Sequence, residues 1–358
     1  MGWTPLRDYE ARRIVIIKPS SLGDIIHSLP VLSALRRRYP QAHIAWVVNR
    51  GYEALLAGHP DLDAMLALDR TALQSGFMSA IQIWRRFILD LRRQQFDLVV
   101  DLQGLFRSAL LTGMSGAPRR VGLGNAREGA VGFYTDVVKV PSATAMHAVD
   151  RYWQVVERLG AGDEPKRFRI PIAPSAQQWV KETLAGLPRP WLMLAIGSRW
   201  VTKRWPADHF AELARRVQEE YGGTAIFVGG AEETYAARLA MSELLGPSRV
   251  LTGRTTLPQL AAVLNEADLM IGNDTGPLHL AAALGRPVVA PYTCTKVTVT
   301  GPYGAAEGAV AAPIWCQGSR FKRCSRLECM QALTPELLWP HVEKVLSTWT
   351  MREHSHSA

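Results

Sequence analysis

Asn273-Asp274-Thr275-Gly276-Pro277-Leu278-His279 is the stretch on which the reading of this chain turns. Before it, Ala267 to Ile271 is an apolar run of the length of a buried strand. After it, Leu280 to Leu284 is a small-residue, helix-like run ended by Gly285. A strand that stops in Asp-Thr-Gly and turns into a helix gathers free backbone N–H groups, and the positive end of the helix dipole, at one point. A phosphate suits such a point. Asp274 and Thr275 are placed to cap the helix and to meet a ligand, and Gly276 lets a ligand approach the backbone. His279 falls one turn in on the same face. An ordinary capped helix, with His279 packed against a sheet, would read the same way.

Upstream of this stretch, strands and helices alternate. The pattern predicts a helix over about 176–185, strand Trp191 to Ile196, a loop 197–206, helix Ala207 to Glu220 and strand Thr224 to Val228. Gly229-Gly230-Ala231-Glu232-Glu233 then opens a helix to Leu245, which makes the 273–279 stretch the third strand-to-helix junction of this half. The first half repeats the pattern. Arg13 to Lys18 is an apolar strand of the kind buried in a parallel sheet, and Ile25, Ile26, Leu29, Leu32 and Leu35 recur at helical spacing, so a helix follows from about Gly23 to Arg38. Strands at 43–48, 65–68 and 98–102 come next, with a short helix at 52–57 and a long one from about Ala72 to Gln94. In the long helix Phe77, Ile81, Trp84, Phe87, Ile88 and Leu91 form an apolar stripe and arginines lie elsewhere, which suits a core face or a basic amphipathic helix at a membrane surface. The fold class is therefore α/β, two doubly wound domains facing a cleft. The domains are expected at 1–165 and 175–333, joined by a polar, proline-rich linker at 166–174, and a last helix at 334–349 is expected to pack back on the first domain.

Asp24 sits in the first turn of a helix, beyond the carboxyl end of the first strand, where open parallel sheets place their ligands. There it can be a general base or only a partner of the helix dipole. The fingerprint G-x-G-x-x-G is absent, which argues against a dinucleotide site. Asp101-Leu102-Gln103-Gly104 again sets polar groups at the carboxyl end of a strand.

Composition bounds the partners. Of 358 residues, 47% are hydrophobic and 20% charged, as in a soluble globular protein. No apolar run reaches the roughly 20 residues of a membrane span, and the start MGWTPLRDYEARR lacks the apolar centre of a secretory signal, so a cytoplasmic location is expected. Net charge is +9, and residues 1–175 carry 23 Lys and Arg against 16 Asp and Glu. That excess favours an anionic partner, such as a phosphorylated substrate or the inner face of a membrane. No zinc finger or ribonucleoprotein motif supports nucleic acid. Cys294, Cys316, Cys324 and Cys329 lack a C-x2-C knuckle, so free thiols are expected, with a zinc site as the alternative.

Five motifs occur in order: Lys-Pro-Ser-Ser-Leu-Gly-Asp-Ile-Ile-His-Ser-Leu-Pro at 18–30, Asp-Leu-Gln-Gly-Leu at 101–105, Lys-Arg-Trp-Pro at 203–206, Gly-Gly-Ala-Glu-Glu at 229–233, and Asp-Thr-Gly-Pro-Leu-His-Leu-Ala-Ala-Ala-Leu-Gly-Arg-Pro at 274–287. Together they resemble the lipopolysaccharide heptosyltransferases of glycosyltransferase family 9 over residues 13 to about 345. The 18–30 motif is more similar to the enzymes that add the first heptose. The resemblance implies a GT-B fold, an ADP-heptose donor on the second domain, and an anionic lipid-linked sugar acceptor on the first, at the inner face of the cytoplasmic membrane.

Displacing a nucleoside diphosphate from an anomeric carbon requires a base for the acceptor hydroxyl and positive charge for the leaving phosphate. By the resemblance, Asp24 is the base. Lys203, Ser198 and the helix start at Thr275-Gly276 hold the diphosphate, with His279 beside them. Glu232 or Glu233 takes the ribose hydroxyls and Asp274 the heptose. The loop 197–202 departs from the paired threonines of the first-heptose enzymes, which leaves the role of Ser198 open. Ser21, Gly23, Asp101, Gln103, Arg107, Arg119 and Arg120 are the expected acceptor contacts. By the resemblance no cofactor and no metal are called for, and one carboxylate acting once implies inversion. Another GT-B enzyme, such as a sugar-nucleotide 2-epimerase, and a non-catalytic sugar-nucleotide sensor are the alternatives.

Overall fold

The computed structural model describes residues 4–69, 77–141 and 145–356, and the chain divides into two compact units, Met1–Pro171 and Ile172–Ala358. The first unit runs β1 (Arg13–Ile17), α1 (Leu22–Arg38), β2 (His43–Asn49), α2 (Arg50–Leu56), β3 (Ala64–Leu68), α3 (Phe77–Arg93), β4 (Leu98–Asp101), α4 (Phe106–Met114), β5 (Arg119–Leu123), β6 (Asp136–Val138) and α5 (Ala148–Arg158). Its six strands are all parallel, in the order β3-β2-β1-β4-β5-β6.

The second unit runs α6 (Pro174–Thr183), β7 (Trp191–Ala195), α7 (Ala207–Tyr221), β8 (Thr224–Phe227), α8 (Thr234–Ser242), β9 (Ser248–Val250), α9 (Leu257–Asn265), β10 (Leu269–Gly272), α10 (Gly276–Ala283), β11 (Val288–Tyr292), α11 (Val297–Thr300), β12 (Ala309–Ala311), α12 (Glu328–Ala332) and α13 (Pro335–His356). Its sheet, β12-β11-β10-β7-β8-β9, repeats the order of the first. In both, the chain starts in the middle, winds outward on one side, and then crosses back to the other. The reversal falls between β1 and β4 and between β7 and β10, and ligands of open parallel sheets bind at that switch point, beyond the carboxyl ends of the strands.

Helices cover both faces of each sheet, and the central strands are accordingly apolar throughout: Ile14 to Ile17 and Leu269 to Ile271 are fully buried. Trp205, Phe210 and Phe227 fill the core of the second unit, together with Leu338, Trp339, Val342 and Leu346 of α13. The C-terminal helix thus shares the core of the second unit.

Several expected boundaries shift. The expected start of the long helix at Ala72 lies outside the described residues; among those described, α3 runs Phe77–Arg93, ending one residue before the expected Gln94. Trp84, Phe87, Ile88 and Leu91 do pack on the first core, while Ile81 stays 46% exposed. β9 and α9 were not foreseen, because β9 is a three-residue edge strand with Arg249 in its middle and has no alternation to read. The 273–279 stretch is therefore the fourth junction of its unit, not the third.

Candidate active site

In the second unit, β10 ends at Gly272 and α10 begins at Gly276 with Thr275 as its N-cap residue. Pro277 suits this first turn, where its missing N–H would have no helical acceptor. Asn273 ties the junction together. It is fully buried, its Oδ1 accepts from Trp205 N (3.1 Å), and its Nδ2 donates to the carbonyls of Ile196 (2.8 Å) and Gly197 (3.3 Å). One side chain thereby registers the loop after β7, the Lys203-Arg204-Trp205 segment and the start of α10. Sequence reasoning gave Asn273 no role.

Lys203 ends a 3-10 turn, Val201–Lys203, and its Nζ donates to Asp274 Oδ2 (2.6 Å) and to the Asp274 carbonyl (3.2 Å). One ammonium N–H remains for a ligand. Asp274 differs from expectation. Oδ2 also accepts from Thr295 (2.7 Å) and Thr300 (3.3 Å), and Oδ1 lies 3.0 Å from His279 Nε2. Burial alone would raise this carboxyl, yet the bond to His279 and the charge of Lys203 outweigh it and hold it far below the usual carboxylate range. Both oxygens are bonded inside the protein and the residue is buried, so Asp274 anchors Lys203 and His279 and has at most one lone pair, on Oδ1, for a sugar. Thr295 and Thr300 escaped notice in the sequence, although Thr-Cys-Thr at the carboxyl end of β11 was a signal.

Ser198 is buried in the loop after β7, where its carbonyl accepts from Arg204 (2.7 Å). Glu232 is exposed. Glu233 bends back so that Oε2 accepts from Gly230 N (2.9 Å). Its carboxylate lies against the backbone of Gly197 and Gly229, in space that a Cβ at either position would occupy. Two loops at the carboxyl edge, after β7 and β8, therefore close around one carboxylate, which burial raises above its ordinary pKa.

In the first unit, Asp24 is the third residue of α1 and accepts from its N-cap residue Ser21 through both N (3.1 Å) and Oγ (2.7 Å), at Oδ2. Its Oδ1 accepts from Tyr152 of α5 (3.2 Å) and lies 3.9 Å from Lys18 Nζ. Burial raises its pKa, but Lys18 first and the Ser21 bonds second drive it well below the usual range. The side chain keeps 41% of its exposure, so it remains open to a reactant. Lys18 and Tyr152 were missed by sequence reasoning, which took Lys18 as the polar end of an apolar strand.

The ends of β1 and β4 are neighbours, Ile17 opposite Asp101, and Lys18 Nζ donates to the Leu102 carbonyl (3.0 Å). Ser21, Gly23, Asp24, Gln103 and Arg107 thus share one end of the sheet, with Arg107 exposed in the first turn of α4. Asp101 does not face a ligand. It is fully buried and accepts from Gln103 N, Gly104 N, Ser108 Oγ and Tyr134 Oη at 2.8 to 3.1 Å, so it braces the loop from below. Arg119 and Arg120 also leave the expected set. They are the first residues of β5, Arg119 opposite Leu98, and so sit at the amino end of the sheet. Arg119 forms a forked pair with Asp136 (2.9 and 2.8 Å), and Arg120 donates to the carbonyls of Phe133 and Ala117. An arginine pair next to a strand looks the same in sequence at either end.

The four cysteines are free thiols, and burial first, then the proximity of Cys316, Cys324 and Cys294, raises the thiol of Cys329. Among the described residues no three His, Cys, Asp or Glu side chains are arranged to hold a metal ion, and no helix is long and apolar enough to cross a membrane.

The profile of glycosyltransferase family 9 (heptosyltransferase) matches residues 84–330. The chain belongs to glycosyltransferase family 9. It is 34% identical over 321 residues to lipopolysaccharide heptosyltransferase 1 of Pseudomonas aeruginosa, covering 87% of each chain. Among solved structures, a family 9 glycosyl transferase from Veillonella parvula superposes with a TM-score of 0.83 at 25% identity, over 94% of this chain and 98% of that one. E. coli heptosyltransferase WaaC with ADP gives 0.75 at 25% identity, over 93% and 99%. The family-9 chain is thus a glycosyltransferase built from two Rossmann-like halves, the GT-B class.

Proposed function

We propose that this family-9 enzyme moves heptose from ADP-heptose to an anionic, lipid-linked sugar of the lipopolysaccharide inner core, with inversion and without a metal. The observation that carries the reading is the repeated sheet order, which sets Asp24 at the switch point of one unit and Lys203 with the start of α10 at that of the other. The names of the P. aeruginosa relative, a lipopolysaccharide heptosyltransferase, and of the ADP-bound E. coli heptosyltransferase structure support ADP-heptose as the donor.

The chemistry divides between the units. In the second, the spare N–H of Lys203 and the N–H groups of the first turn of α10 take the diphosphate and the charge that grows on it as the anomeric C–O bond breaks. Glu232 or Glu233 takes the ribose hydroxyls. In the first, Asp24 accepts the proton of the acceptor hydroxyl while that oxygen bonds to the anomeric carbon, and ADP leaves with the electron pair. A carboxylate held so acidic is a weak base for a free alcohol. It suits a late proton transfer, after the attacking oxygen has become acidic through bonding to an oxocarbenium-like carbon. Arg107 and Gln103, at the same end of the sheet, are proposed for the anionic acceptor, and exposed Ile81 and Leu89, with Arg85 and Arg86 on α3, suit peripheral contact with an anionic inner membrane surface.

The test is transfer from ADP-heptose to a Kdo-lipid A acceptor in the presence of a chelator, with the product linkage determined by NMR. The expected product has the anomeric configuration opposite to that of the donor. Retention of configuration, or turnover lost with the chelator and restored by a divalent cation, would overturn the mechanism.

A further inference from the structure

Lys18 is a lysine at 2% exposure, at the end of an apolar strand, and the transfer chemistry gives it no part. Its Nζ donates to the Leu102 carbonyl (3.0 Å) and to Tyr152 Oη (2.9 Å). An ammonium has no lone pair, so the Tyr152 oxygen must accept from it, and the phenolic hydrogen is left for Asp24 Oδ1 at 3.2 Å. The direction of the chain is fixed: Lys18 to Tyr152 to Asp24. At the other side of the carboxylate, the two Ser21 bonds fill both lone pairs of Oδ2. Oδ1 carries one bond and keeps one lone pair.

We propose that Lys18 and Tyr152 are positioning residues for sugar transfer, which orient Asp24 so that the open lone pair of Oδ1 is the one that receives the acceptor's proton. This rests on the reading of Asp24 as the base. A carboxylate in the first turn of a helix needs only the helix and its N-cap residue to be stable. The buried lysine and the tyrosine of α5 add a second tether from outside the helix, and they add it to the oxygen that is not already saturated. Such a tether costs the protein a desolvated ammonium, a cost that a mere helix cap does not require.

The charged and titratable groups around Lys18, Tyr152 and Asp24 are Asp101 from β4, His27 one turn further along α1, His147 at the N-cap of α5 and Arg151 within α5. Burial works against the charge on Lys18, but Tyr152 and Asp24 outweigh it and hold its pKa above the ordinary lysine value, so it is an ammonium at neutral pH. Without Lys18, burial acts on Asp24 with less opposition and its pKa rises. An ionised base is required, so activity then falls at a higher pH on the acid side.

The experiment compares Lys18→Met and Tyr152→Phe, each alone and in an Asp24→Asn background, by kcat, donor KM and the pH profile of kcat. The single variants are expected to lose about ten- to a hundredfold in kcat, as for misplacement of a reacting group. Donor KM should stay unchanged, and Lys18→Met should show an acid limb shifted to higher pH. In the Asp24→Asn background the same substitutions should change kcat little, since there is no base left to orient. Tyr152→Phe deletes a single oxygen and carries the test if Lys18→Met unfolds. Wild-type kcat and pH profile in the single variants, with Asp24→Asn inactive, would overturn this inference alone. An equal loss in the presence and absence of Asp24 would make the role merely structural, and full activity of Asp24→Asn itself would remove the base and this inference with it.

Discussion

Replacing Lys203 with Met removes one ammonium and little volume, and two consequences can be worked from its surroundings. The Lys203 side chain is 16% exposed and the Asp274 side chain 4%, with 2.6 Å between them. Stranding a buried carboxylate by deleting its partner costs about 3 to 5 kcal/mol when nothing else compensates. Here His279, Thr295 and Thr300 stay bonded to Asp274, so the expected loss is nearer that of one bond to a charged group, about 1 to 3 kcal/mol. Its sign with pH follows from Asp274. A carboxyl with a depressed folded pKa contributes stability above its unfolded pKa and loses it as pH falls through the folded one. Loss of Lys203 moves the folded pKa back up, so the gap between variant and wild type should be widest at neutral pH and narrow below the ordinary carboxylate range. The second consequence is for ADP, which loses a charge-assisted bond worth about 1.5 to 3 kcal/mol, or roughly ten- to a hundredfold in Kd. Urea unfolding at two pH values and calorimetric titration with ADP read both. Unchanged midpoint and unchanged Kd would refute the placement of Lys203, and a stability gap equally wide in acid would refute its coupling to Asp274.

ADP should raise the unfolding midpoint in proportion to the logarithm of its excess over Kd, while UDP at the same concentration should not; equal shifts would sink the adenine assignment. Gly197→Ala should push the Glu233 carboxylate out of place and destabilise by about 1 to 3 kcal/mol. Adding Glu233→Ala should recover most of that loss, and no recovery would show that the contact is not what the glycine serves. Acceptor affinity should weaken as salt shortens the Debye length below about 10 Å, and Arg107→Ala should flatten that dependence; a salt-independent affinity would count against Arg107 as an acceptor contact.

The alternation of apolar strands with helices was legible in the sequence because parallel strands buried on both faces read as continuous runs. Asp24 and the 273–279 junction stood out because polar residues at the carboxyl end of a buried strand contrast with it, whereas Lys203 was singled out only by the resemblance of its Lys-Arg-Trp-Pro motif to the family. What failed is equally physical. Arg119, Arg120 and Asp101 are polar residues beside strands, but whether such a group points to a ligand or turns to a buried partner depends on which end of the sheet it occupies and on neighbours such as Asp136 and Tyr134, 17 and 33 residues away. Lys18 and Tyr152 lie 134 residues apart, so their bond leaves no local trace. Asp274 lies at the junction the sequence pointed to, and only the three-dimensional arrangement of Lys203, His279, Thr295 and Thr300 shows that both its oxygens are bonded inside the protein.

The most direct measurement is turnover by folded Asp24→Asn protein, with its unfolding midpoint measured alongside. Asn keeps the shape and one acceptor oxygen but cannot take a proton. The account predicts a loss of about a hundred- to ten-thousandfold in kcat, with ADP affinity unchanged and a stability cost of about 1 to 5 kcal/mol from the altered bonds to Ser21 and Tyr152 and the lost charge opposite buried Lys18. Turnover close to wild type with a lowered midpoint would contradict it, and would leave Asp24 a structural residue that caps α1 and ties it to Tyr152 and Lys18.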